Sequence, residues 1–117
     1  MNDDIFDTLR LELRRGCLII AVLAQLRVEH YGYALRKALA EQGMDIDENT
    51  LYPLLRRLES QGLLESTWRE ENKRNKRFYH LSASGELVLS HLLEEWNAID
   101  ASLKRIIGGA FLSDVTH

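Results

Sequence analysis

Apolar residues recur along the chain with two periods, and the switches between them mark out its elements. Ile5, Phe6 and Leu9 lie among acids in residues 3–12, the pattern of a short amphipathic helix. Residues 14–27 are apolar on nearly every side, which predicts a second helix buried in the middle of a domain. Tyr31, Leu35, Ala38 and Leu39 form one stripe of a third helix over 31–42. It stops at Gly43, a residue suited to the left-handed position after a helix. Leu51, Leu54, Leu55 and Leu58 then follow the i, i+3, i+4, i+7 spacing of a helix with one buried face. Either Asp47 or Asn49 can cap that helix, Gly62 ends it, and Pro53 inside it removes a backbone hydrogen bond. Alternation takes over at Leu64, Ser66 and Trp68 and again at Tyr79 and Leu81, which predicts a hairpin. Residues 69–77 between these runs are too polar to bury. Ser82 can cap a last, long helix that runs to about Ile107 and stops at Gly108-Gly109.

The expected fold is therefore mainly α with a small β-hairpin. Its order is that of a winged helix-turn-helix followed by a long C-terminal dimerisation helix. We expect a reading domain over 1–82 that includes the N-terminal helix, the dimerisation helix over 83–108, and a frayed tail over 109–117.

Charge changes this picture by its placement rather than its sum. The net charge of −3 argues faintly against a nucleic-acid partner. Yet residues 48–77 hold seven basic and five acidic residues, which leaves −5 for the rest of the chain. Residues 73–77 hold four bases and no acid. A phosphate surface needs local positive potential, not a basic average.

Two segments carry that potential. With four leucines facing in, Asn49, Thr50, Tyr52, Pro53, Arg56 and Arg57 face out or sideways from the fourth helix. Arg can fork onto guanine and Asn onto adenine in a major groove, while Thr and Tyr reach phosphates. The plainer alternative is a solvated helix face. Lys73, Arg74, Lys76 and Arg77 form a basic hairpin tip that can lie along the backbone or enter the minor groove; the alternative is a turn charged only for solubility.

A third segment points to self-association. Leu89, Leu92, Trp96, Ile99, Leu103 and Ile106 are spaced 3, 4, 3, 4, 3, a heptad seam. A helix of about 25 residues is roughly 37 Å long and outruns so small a body, so pairing with a second copy is expected. Ile5, Phe6 and Leu9 can complete that interface. A two-fold homodimer would present two heads to a palindromic double-stranded site, spaced about 34–36 Å or a multiple of it. Trp96, mid-seam, either walls a pocket for a flat apolar ligand or fills the interface.

Other classes find little support. Cys17 is the lone cysteine, set in an apolar run too short for a bilayer, and no basic region opens the chain. The expected place is the cytoplasm, with no membrane role. His91 with Glu94 and Glu95 has a spacing that can bind metal, but one helix cannot complete such a site. No catalytic, cofactor or metal residues are assigned.

Three runs carry a family resemblance: Tyr31-Gly-Tyr-Ala-Leu35, Thr50-Leu-Tyr-Pro-Leu-Leu-Arg-Arg-Leu-Glu-Ser-Gln-Gly-Leu-Leu64, and Arg77-Phe-Tyr-His-Leu-Ser-Ala-Ser-Gly85. Over roughly residues 14–107 the chain resembles the PadR family of bacterial transcriptional regulators, in its short subfamily with one C-terminal helix. The resemblance implies a repressor released from its promoter by an effector, such as a phenolic acid or a flat cationic drug. It also implies that Trp96 stacks on that ligand at the dimer centre, with Asp100 among the nearby acids. The family's wing tip usually carries Gly with Pro or Arg, whereas here Asn72-Lys-Arg-Asn-Lys-Arg77 leads into Phe78-Tyr79. The competing class is a protein-interaction adaptor on the same fold, favoured slightly by the acidic net charge.

Overall fold

The computed structural model describes residues 3–108. Its first element, α1 (Asp3–Gln25), is one helix where the sequence reading expected two. Gly16 weakens a helix interior, but no proline or competing turn interrupts the ladder there. The strip β1 (His30–Tyr31) precedes α2 (Gly32–Glu41). Tyr31, expected inside the third helix, instead pairs with Phe78 in this strip; two residues are too few to show a strand period.

The helix α3 spans Glu48–Ser60 and its cap is Asp47, whose side chain accepts from the Thr50 amide at 2.8 Å. Those hydrogen bonds to Thr50 hold the Asp47 carboxyl below its ordinary value. Pro53 lies within α3, so the Asn49 carbonyl lacks its helical donor, on a residue exposed to water.

The hairpin strands are β2 (Leu64–Glu71) and β3 (Arg74–Leu81). They run through most of the segment expected to be a polar connection. Only Asn72 and Lys73 turn the chain, at φ 55° and 65°, both in the left-handed region. That is the backbone of a two-residue type I′ hairpin turn. Antiparallel pairing on both sides of β3 makes a three-stranded sheet of order β1-β3-β2, with Leu64 opposite Leu81, Trp68 opposite Arg77 and Tyr31 opposite Phe78.

The last helix, α4 (Ala83–Ile107), begins at Ser82. The Ser82 hydroxyl accepts from the Gly85 amide at 2.9 Å and donates to the Gly62 carbonyl at 2.7 Å. A Cβ on Gly85 would come within 2.2 Å of the Leu63 carbonyl oxygen, so α4 starts pressed against the base of the hairpin. The C-cap Gly108 has φ 84°, as its left-handed placement requires. The tail expected to fray, 109–117, lies outside the described residues.

The core joins Val22, Leu23 and Leu26 of α1 to Leu35 and Leu39 of α2, the four leucines of α3, and Leu64, Tyr79 and Leu81 of the hairpin. Leu89 belongs to this core, 5 % exposed, and Leu92 packs against it. This corrects the expected seam. Its first positions are spent on the chain's own domain, because α4 must cross the core before it leaves it. The distal halves of α1 and α4 project beyond the core. The radius of gyration is 17.3 Å with extents of 57 × 32 × 23 Å, against about 13–14 Å for a compact chain of this length.

Candidate nucleic-acid interface

Burial of Leu51, Leu54, Leu55 and Leu58 fixes which side of α3 faces solvent. At 3.6 residues per turn, Asn49, Pro53 and Arg56 fall on the opposite side, with Thr50 and Arg57 beside them, and all five are exposed. Tyr52 differs from its neighbours. It is half-buried, and its ring occupies the space over Gly32, where a Cβ would lie 2.7 Å from the ring carbon Cε1. Tyr52 thus pins α3 to the start of α2.

The basic residues expected at the interface divide into two groups. Arg56, Arg57, Lys73 and Arg74 are exposed and have no carboxylate partner among the described residues. Lys76 is paired with Glu71 at 3.3 Å and sits 4.2 Å over the Tyr31 ring, its side chain only 18 % exposed. Arg77 donates through Nη2 to Glu59 Oε1 at 2.5 Å and through Nε to the Ser66 hydroxyl at 3.0 Å. The Ser66 hydroxyl in turn donates to Glu59 Oε2. These three side chains close a ring between α3, β2 and β3. Arg77 also lies 5.4 Å from the Tyr79 ring centre and 5.8 Å from that of Trp68. Burial pushes the Tyr79 phenol above its ordinary value, against the nearby positive charge of Arg77.

The opposite face of the sheet is ordered in the same manner. Arg69 pairs with Glu29 at 2.5 Å and stacks 3.8 Å over Phe78, which meets Tyr31 edge-on at 5.4 Å. The sequence reading missed Glu59, Ser66 and Arg69 in these roles. A two-residue turn at Asn72-Lys73 would have revealed the register, and hence that Ser66, Trp68, Arg77 and Tyr79 share one face.

Outside the core, Ile5, Phe6 and Leu9 of α1 and Trp96, Ile99, Leu103 and Ile106 of α4 are exposed, from 45 % at Trp96 to 78 % at Ile106. Asp100 is paired with Lys104 at 2.9 Å, one helical turn away. Among the described residues no group of His, Cys, Asp and Glu could hold a metal ion, and no helix is long and apolar enough to cross a membrane.

Comparison with known proteins places this arrangement. The profile of the transcriptional regulator PadR-like family matches residues 19–91. The chain is similar to the transcriptional regulator Rv3488 of Mycobacterium tuberculosis, 33 % identical over 81 residues, which is 69 % of this chain and 73 % of that protein. In structure it is similar to a PadR family transcriptional regulator from Eggerthella lenta, with a TM-score of 0.87 and 44 % identity over 92 % of this chain and 96 % of that one. It is also similar to Bacillus subtilis PadR in complex with operator DNA, with a TM-score of 0.60 and 28 % identity over 66 % of this chain and 46 % of that one.

Proposed function

Because the chain belongs to the PadR-like family of transcriptional regulators, whose members are regulators and not enzymes, we propose that it is a sequence-specific repressor that binds a palindromic operator as a homodimer in the cytoplasm. In this reading α3 enters the major groove, where Asn49, Thr50, Arg56 and Arg57 read bases and neighbouring phosphates. The hairpin is the wing, and Lys73 and Arg74 at its tip meet the backbone or the minor groove. The observation that carries this is the division of the bases. Four cations without carboxylate partners lie on α3 and the wing tip, while the inner cations of the hairpin are neutralised. The Bacillus subtilis relative is in complex with operator DNA, which supports operator DNA as the partner of this chain.

Dimerisation is assigned to the distal half of α4 with α1. The effector is a flat aromatic or cationic small molecule stacked on Trp96 at the dimer centre, and its binding releases the DNA. Asp100 already has a cation at Lys104, so the weight of recognition falls on the Trp96 face.

Electrophoretic shift on DNA from upstream of its own coding sequence tests the proposal. Arg56→Ala should weaken binding and relax the preference at one base step. Joint Lys73→Ala and Arg74→Ala removes four cations from a homodimer and should lower the salt slope by about 3–4. Unchanged affinity and slope in both variants would remove the assignment. For the effector, flat aromatic dyes should quench tryptophan fluorescence. Quenching that persists in Trp96→Ala would come from Trp68 and take Trp96 out of the role.

A further inference from the structure

We infer that Glu59 and Ser66 are positioning residues for DNA recognition. Through Arg77 they hold the wing at a fixed angle to α3, so that helix and wing dock on the duplex as one body. The inference rests on the DNA-binding reading above and adds to it a role for an acid on the reading helix.

One carboxylate of α3 receives donors from both strands of the hairpin: Arg77 on Oε1 at 2.5 Å and Ser66 on Oε2. Arg77 Nε closes the ring on Ser66 at 3.0 Å. The pair is partly sheltered, with Arg77 33 % and Glu59 25 % exposed. Apolar packing between α3 and the hairpin ends at the hairpin base with Leu64, Tyr79 and Leu81. Among the described residues no other side-chain hydrogen bond joins α3 to the strands. On the side that faces α3 this ring sets the hairpin's direction, while Arg69 with Glu29 and Lys76 over Tyr31 hold the sheet's other face to β1 and the segment before it. Charge-assisted bonds to two forked groups set an angle more firmly than one contact does.

The inference separates from simple electrostatics by sign. If Glu59 were only a negative charge near phosphates, Glu59→Gln would tighten binding, because it lowers repulsion and frees Arg77 for the backbone. If Glu59 positions the wing, the same change weakens binding. A neutral amide offers one acceptor where the ring uses two.

The experiment measures affinity by fluorescence anisotropy on the tightest duplex that the wild type enriches from a random-sequence pool. Glu59→Gln is expected to weaken binding roughly tenfold. Lys73→Ala, which weakens the wild type, should cost much less in the Glu59→Gln background, because the wing no longer holds Lys73 against the duplex. Arg77→Lys keeps the charge, loses the fork and should reproduce the loss. Thermal melts confirm that each variant is folded. Without DNA, amide exchange across 66–79 should quicken in Glu59→Gln. Tighter or unchanged binding, a Lys73→Ala effect equal in both backgrounds, or unchanged exchange would each overturn the positioning role. A wild type that enriches no duplex overturns the DNA-binding reading itself, and that is seen before any variant is made.

Discussion

At α3 and the hairpin, each leucine of the inner face of α3 is buried within one protomer, and the inner cations of the hairpin meet acids of the same chain. At the far end, the distal halves of α1 and α4 leave Ile5, Phe6, Leu9, Trp96, Ile99, Leu103 and Ile106 in solvent. The first region closes its core within one protomer and turns mainly charged and polar groups outward from α3 and the wing tip, with Trp68 exposed beside them. The second leaves large apolar side chains exposed on both helices, of the kind that mark an interface. The same chain has thus put a finished head on an unfinished stem, and the proposed second copy would supply what the stem lacks.

Disrupting the stem should produce the largest effect. Ile99→Asp with Leu103→Asp is expected to convert dimers to single chains in sedimentation. With the link between heads lost, operator affinity should fall by about 10²–10⁴-fold. The head should keep its far-ultraviolet spectrum; loss of that signal would mean the two regions are not separable. Disrupting the head comes next. Leu55, 1 % exposed among the other core leucines, should cost about 2–5 kcal/mol as Leu55→Ala in a urea titration. The smallest effect sharpens the head alone and concerns the cap of α3. The Asp47 carboxyl is held below its ordinary value of 3.8. Its stabilisation is therefore complete above that ordinary value and is lost as pH falls through the lower folded value. Asp47→Asn, still a good cap, should melt close to the wild type at neutral pH, while Asp47→Ala melts a few degrees lower. The gap between wild type and Asp47→Ala should narrow in acid.

The head was more legible in the sequence than the stem. Leu51 to Leu58 bury one side of a helix, so their spacing alone placed both the core face and the exposed Asn49, Arg56 and Arg57. The wing was only half legible. Leu64 and Leu81 alternate because one face is buried, but from Trp68 to Arg77 both faces meet water and no period remains to be read. The ring of Glu59, Ser66 and Arg77 joins residues up to 18 positions apart, so it is set by register and not by local pattern. In the stem, the heptad spacing was visible, but spacing cannot say who the partner is. Leu89 and Leu103 occupy equivalent seam positions, two heptads apart, and one is core while the other is 50 % exposed.

The turn at Asn72 and Lys73 sets two kinds of fitness against each other at one position. Asparagine tolerates the left-handed region, but lysine does so at a cost of about 1–2 kcal/mol that glycine avoids. A search for heat-resistant variants of this protein should therefore return Lys73→Gly, with a higher melting temperature and a weaker grip on DNA. A sequence shaped by thermal endurance alone would not keep lysine there; one shaped by contact with a polyanion would.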